Sequence, residues 1–224
     1  MAPGPSGEGP MQLHRQGRFR SWLGSRFGGD AALGGRLGRR FLHAGGALTL
    51  IYYAFPPHLL IIIPNWAIPI AALVALLVVD GLRLAGRIEV PEIRPHERVR
   101  PASYSYFGMA IVVALVLFPE PIAVAVILGT AIVDPIIGES RGTPAGAAFY
   151  PVLPFVVYFA LATVSLAWVG HASLLTASLF AAAAGAVAIA SERPQWTYLD
   201  DDLMMTVIPG LVLLGLGLAF PGSI

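Results

Sequence analysis

The sequence predicts an all-α fold, a polytopic membrane helix bundle of about seven transmembrane helices with a cytoplasmic N-terminus and an outside C-terminus. Three observations predict it. First, Phe41–Val79, Pro101–Pro119, Pro121–Val133, Gly142–Ser191 and Leu203–Ile224 contain no Asp, Glu, Lys or Arg. A bilayer core takes about 20 predominantly apolar residues per helical span. Phe41–Val79 and Gly142–Ser191 are long enough for two spans each, and Pro101–Pro119 and Leu203–Ile224 for one each. Pro121–Val133 reaches span length by taking in Asp134–Ile137. Second, all 14 basic residues are arginines, and seven spans place every one of them on the same face. The positive-inside rule makes that face cytoplasmic. Third, hydrophobic residues make up 56% of the chain and charged residues 12%, the balance of a multi-pass membrane protein.

The elements follow in order. Residues 1–40 form a polar, Arg-rich cytoplasmic arm with no apolar run of signal-peptide type. Met1–Pro10 has the composition of a disordered tail. Gln12–Arg40 reads either as a membrane-surface helix, with Phe19, Trp22, Leu23 and Phe27 on one face, or as a plain basic tail; anionic lipid attracts both. Residues 41–224 form the transmembrane bundle. Its spans are expected at Phe41–Leu60, Asn65–Leu84, Ser103–Phe118, Pro121–Ile137, Pro144–Val169, Ala172–Ile189 and Leu203–Phe220. Helices are expected because lipid satisfies no backbone polar group. The outer connections Pro56–Pro64, Pro119–Pro121, Gly170–His171 and Pro221–Ile224 carry one charge, Glu120. The inner ones, Gly81–Ala102, Gly138–Thr143 and Glu192–Asp202, carry most of the acids.

Composition also excludes. A net charge of +1 argues against a nucleic-acid partner. The absence of cysteine rules out disulfides, thiolate catalysis and cysteine metal sites, and the absence of lysine rules out a P-loop lysine. No internal repeat suggests a transporter of inverted halves. Five of the seven spans lack mid-membrane acids or arginines, which argues against an ion path.

The inner face gathers the residue types that bind phosphate and metal. Asp134 lies in the last turn of the fourth span, followed by Pro135, Gly138, Glu139 and Arg141. Asp200, Asp201 and Asp202 open the seventh, Arg39, Arg40 and His43 the first, and Glu97, Arg98 and Arg100 precede the third. Asp80 and Arg83 close the second at i,i+3 spacing, on one helical face. Phosphoryl transfer needs a divalent cation, cationic groups about the phosphate oxygens and an aligned attacking oxygen. Magnesium takes one or two carboxylates plus phosphates and water, and arginine forks match phosphate. Plainer readings stand beside these. Arginines at helix ends set topology or snorkel, Asp200–Asp202 can cap a helix, and Asp80 with Arg83 can be an interfacial ion pair. Asp134 follows an uncharged run at a depth where ionisable groups default to function.

At these positions the chain resembles the CTP-dependent polyprenol kinase family, the dolichol and phytol kinases, as a divergent branch of archaeal type within the membrane CTP transferases. Arg39-Arg40-Phe41-Leu42-His43 is similar to the basic pair and histidine that begin the family's first core span. Asp80-Gly81-Leu82-Arg83 resembles its acid-x-x-Arg, and His96-Glu97-Arg98 with Ala102–Gly108 its Glu-basic segment before a Tyr-Phe-Gly helix start. Asp134-Pro135-Ile136-Ile137-Gly138 resembles the Asp-centred nucleotide loop, and Asp200-Asp201-Asp202 with Pro209 the late Asp-Asp-Asn and helix proline. The chain departs from the pattern at Glu139–Gly146, which is shortened and lysine-free, and at Asp202, where the family has asparagine.

The resemblance implies a multi-pass cell-membrane enzyme whose active site faces the cytoplasm. It would move the γ-phosphoryl group of CTP, with Mg2+ or another divalent cation, to an isoprenoid alcohol of the polyprenol or dolichol type. Asp134 and Asp201 would be catalytic, and Asp134, Asp201 and Asp202 would hold the metal. Arg40, His43, Arg98, Gly138 and Arg141 would bind nucleotide phosphates, and Asp80, Arg83 and Glu97 would form a supporting ion pair. Two alternatives stay open: a CTP:lipid-phosphate cytidylyltransferase making a CDP-lipid, and a non-catalytic lipid-binding or transport protein.

Overall fold

The computed structural model describes residues 43, 45–59, 63–90, 93, 95–142, 144–192 and 199–224. The arm 1–40 and Arg40 lie outside the described residues. From residue 45 the chain is helical and tightens into a 3-10 turn, Thr49–Ala54. Phe55 is extended, as a residue before proline prefers to be. The helical stretch where the first span was expected therefore ends at Ala54 rather than at Leu60. A two-residue antiparallel pairing, His58–Leu59 with Ile63–Pro64, takes the place of the expected plain loop.

Seven α-helices follow among the described residues: α1 (Ala67–Leu84), α2 (Ser103–Leu117), α3 (Glu120–Gly142), α4 (Pro144–Ala147), α5 (Val152–Trp168), α6 (Leu174–Glu192) and α7 (Asp201–Ala219). Among the described residues α1, α3, α6 and α7 are long and apolar enough to cross a membrane, while α2 and α5 are shorter apolar helices.

Two expected boundaries move. The fourth span was expected to stop near Ile137, but α3 continues helically through Pro135 to Gly142. A proline removes one backbone donor and crowds one carbonyl a turn earlier; the flanking helix tolerates both. The fifth span, expected as one helix from Pro144, is interrupted between α4 and α5. Residues 148–151 form a turn, with a cis peptide bond at Tyr150–Pro151, and the long helix starts at Val152.

Packing is uneven in a way that locates the site. Of α3's membrane-length window 56% is buried within the protein, against 11% for α1, so α3 is the central helix and α1 a peripheral one. Helix α3 packs against α5 and α7, α6 packs between α5 and α7, α2 leans on α7, and α1 leans on α2. Lipid is as apolar as leucine, so close van der Waals packing rather than dehydration drives these contacts. Small side chains permit them. Ala177, Ala181, Ala184 and Ala188 are fully buried along α6, so this small-residue face is used within the chain. Gly129 admits the ring of Tyr158, and Gly210 that of Phe118; a Cβ at either would collide with the ring. Helices α3 and α7 also pack directly against each other.

Candidate metal and phosphate site

Helix α7 begins with three aspartates. Asp200 is its N-cap, its carboxylate accepting the backbone N–H of Asp202 at 3.3 Å. Acids in a first turn also oppose the positive end of the helix dipole. Asp201 is half-buried and Asp202 buried. One ligand atom from each of the three lies within 4.8 Å of the others.

Asp202 faces α3. Its Oδ1 lies 3.1 Å from His43 Nε2, and Asp134 Oδ2 lies 3.1 Å from that same nitrogen. His43 is 1% exposed. Its ring is steadied by Phe107, whose centroid is 4.7 Å away; Phe107 in turn fills the space above Gly46. One turn further into the bundle the same two helices meet again. The Thr206 hydroxyl bonds the Thr130 hydroxyl at 2.9 Å and donates to the Asp202 carbonyl at 2.9 Å. Thr130 precedes Asp134 by four residues and Thr206 follows Asp202 by four, so each pair shares a helical face. The result is a two-rung polar ladder between α3 and α7.

A second cluster adjoins the first. The Asp80 carboxylate accepts from Arg83 Nε at 2.6 Å, Tyr104 Oη at 2.8 Å, Ser105 Oγ at 2.9 Å and the Ala102 N–H at 3.2 Å. Arg83 also donates to the carbonyls of Glu97 and Arg100, each at 2.8 Å. Glu97 Oε1 accepts from the Ser103 hydroxyl at 2.7 Å and its N–H at 3.3 Å, capping the start of α2 from six residues upstream. The Ser103 hydroxyl lies 3.2 Å from Asp200 Oδ2 and so ties this cluster to the aspartate triplet. Burial, with the charges of Asp202 and Asp201 beside it, pushes the Asp200 carboxyl up to about 8.

A third contact closes the end of α3. The Arg141 guanidinium forks onto both oxygens of the buried Glu192 carboxylate at the end of α6, donates to Tyr150 Oη at 2.8 Å, and sits 4.6 Å from the Tyr150 ring centroid.

The expected residues thus divide. His43, Asp134 and Asp202 come together, with Asp201 beside them; Asp80, Arg83 and Glu97 form the neighbouring cluster. Arg141 engages Glu192. Arg98 is exposed, and Gly138 is exposed with open space where a Cβ would point. Asp134 to Gly138, likened to a nucleotide loop, is helix throughout. Sequence reasoning passed over Glu192, Tyr150, Ser103, Thr130 and Thr206. The i,i+4 spacing of the threonines from Asp134 and Asp202 was a usable signal; nothing local marks Glu192 as the partner of Arg141.

Two carboxylates with an imidazole form a donor set that suits a divalent cation; His43 and Asp202 are buried and Asp134 half-buried. Set beside known proteins, the chain matches no protein-family model, no curated protein and no solved structure.

Proposed function

We propose that this protein is a membrane lipid kinase of the CTP-dependent polyprenol kinase type, moving the γ-phosphoryl group of CTP to an isoprenoid alcohol at the cytoplasmic membrane surface. In this reading the chain crosses the bilayer seven times. The short helices α2 and α5 and the segment before the His58–Leu59 pairing serve as spans beside α1, α3, α6 and α7, and every arginine faces the cytoplasm. One observation carries the reading: segments as distant in sequence as His43, Asp134 and Asp202 meet at 3.1 Å.

Asp134 and Asp202 would hold Mg2+ or a similar cation, with Asp201 at its edge. Such an ion, when bound, offsets charge on the triphosphate oxygens. Arg40, Arg98 and Arg141 are the guanidinium groups assigned to phosphate, Arg141 on exchanging Glu192 for a phosphate oxygen. The acceptor hydroxyl sits where lipid head groups sit, level with the aspartates. Its oxygen forms a bond to the γ-phosphorus, the bond from that phosphorus to the bridging β,γ-oxygen breaks, CDP leaves, and an aspartate of the triplet takes the hydroxyl proton.

The test uses membranes containing the full chain, a divalent cation, polyprenol, and CTP labelled at the γ- or α-phosphate. Label from the γ position in lipid is the expected result. With a lipid phosphate as acceptor, label from the α position would mean a cytidylyltransferase instead. No label in lipid from either position would leave a non-catalytic lipid-binding protein.

A further inference from the structure

The three atoms that meet at the core of the site are not all oxygens, and their spacing carries information. His43 Nε2 stands at one distance, 3.1 Å, from both Asp134 Oδ2 and Asp202 Oδ1, and the three ligand atoms lie within 4.8 Å of one another. Three ligand atoms this close together, from three separate segments of the chain, can share one small divalent ion.

Charge points the same way. Two carboxylates and one imidazole, with side-chain exposures of 16% for Asp134, 6% for Asp202 and 2% for His43, stand where uncompensated charge is costly. A protonated His43 offsets one of the two negative charges. A divalent ion with neutral His43 offsets both. Packing supports such a ligand set: His43 lies against Phe107, so the nitrogen is held in place before an ion arrives.

We infer that His43 is a direct metal ligand, and that His43 Nε2, Asp134 and Asp202 form a three-ligand site for a first-row divalent transition ion such as Mn2+, favoured over Mg2+. This rests on reading the same site as a cation site and adds the nitrogen ligand and the class of ion. Imidazole favours transition ions, whereas Mg2+ is a hard, oxygen-seeking ion that keeps its waters. Asp201, whose carboxylate lies close to that of Asp202, and the phosphate oxygens of a bound nucleotide would complete the ligand set.

The experiment loads the full-length protein in detergent with Mn2+ and reads the electron spin echo for nitrogen coupled to the metal. The expected result is modulation from 14N that converts to the 15N pattern when the protein is made with 15N-histidine, a comparison that needs no variant. Free Mn2+ measured by continuous-wave resonance should give binding at least about tenfold tighter than Mg2+ in competition, and His43→Gln should shrink that preference to within about threefold. Mn2+ bound without histidine nitrogen coupling, or a preference unchanged in His43→Gln, overturns the inference. The outcome is separable from the kinase reading. Histidine-coupled Mn2+ with no labelled lipid sinks the kinase and keeps this site; labelled lipid with all-oxygen Mn2+ does the reverse.

Discussion

Asp80 offers the sharpest test of how the site is held. Its carboxylate accepts four donors, two on each oxygen: Arg83 Nε and Tyr104 Oη on Oδ1, Ser105 Oγ and the Ala102 N–H on Oδ2. Asp80→Asn keeps the shape and replaces one oxygen by NH2. With the amide oxygen toward Arg83 and Tyr104, the NH2 group faces Ser105, which can turn to accept, and the Ala102 N–H, which cannot. Losing the charge on the Arg83 bond costs about 1 kcal/mol, the difference between charged and neutral hydrogen bonds, and orphaning a buried N–H costs about 1–3 kcal/mol. The flipped amide is worse, since it confronts Arg83 itself. The sum is about 3 kcal/mol. Asp80→Ala strands all four donors and breaks a buried ion pair, for about 3–5 kcal/mol. At about 2–4 °C per kcal/mol for a chain of this size, Asp80→Asn should melt about 6–12 °C below the unmodified protein. The assay is thermal unfolding in detergent followed by tryptophan fluorescence and by loss of the monodisperse species. Arg98→Gln, on an exposed residue, is the control and should stay within about 0.5 kcal/mol. An Asp80→Asn protein melting within about 1 °C of the original would show that the cluster contributes nothing and would refute this reasoning.

Other expectations concern the rest of the network. Asp134→Asn should insert and fold but lose at least about 100-fold in lipid phosphorylation, and it should lose the rise in melting temperature that Mn2+ gives the unmodified protein; full activity would remove Asp134 from the chemistry. Glu192→Gln should cost only about 1 kcal/mol in detergent unfolding, because the Arg141 side chain is 46% exposed and solvent screens the pair; a loss several times larger would mean that the fork is a structural keystone. Thr130→Val and Thr206→Val together should cost less than the sum of the singles, with a coupling of about 0.6 kcal/mol in a double-mutant cycle; strict additivity would mean the hydroxyls do not bond.

Much of the helical architecture was legible because membrane helices announce themselves by what they lack. Uncharged runs marked α1, α3, α6 and α7, and the i,i+3 spacing of Asp80 and Arg83 put both on one face. Helix ends were less legible. The fourth span was expected to end at Ile137, but α3 runs on to Gly142, because the polar residues after Ile137 continue the helix past the uncharged run. The turn before Pro151 broke a span that hydropathy alone reads as continuous, since apolar composition does not register a local backbone geometry. Long-range pairing was the least visible. Arg141 and Glu192 are 51 residues apart, and nothing in either local pattern names the other. Asp134 stood out by its depth and Asp202 as one of a triplet at a helix start, but that the His43 nitrogen lies between them depends on how its ring packs against Phe107, a detail that no periodicity encodes.

Asp134 and Asp202, from helices far apart in sequence, should meet at one membrane face. The chain has no cysteine, so Asp134→Cys/Asp202→Cys carries the only two thiols. A short bis-thiol cross-linker applied to inside-out vesicles should join them within one chain, shifting its gel mobility without forming dimers, and a membrane-impermeant version should fail on right-side-out vesicles. No intramolecular link, or reaction only from the outer surface, would contradict it.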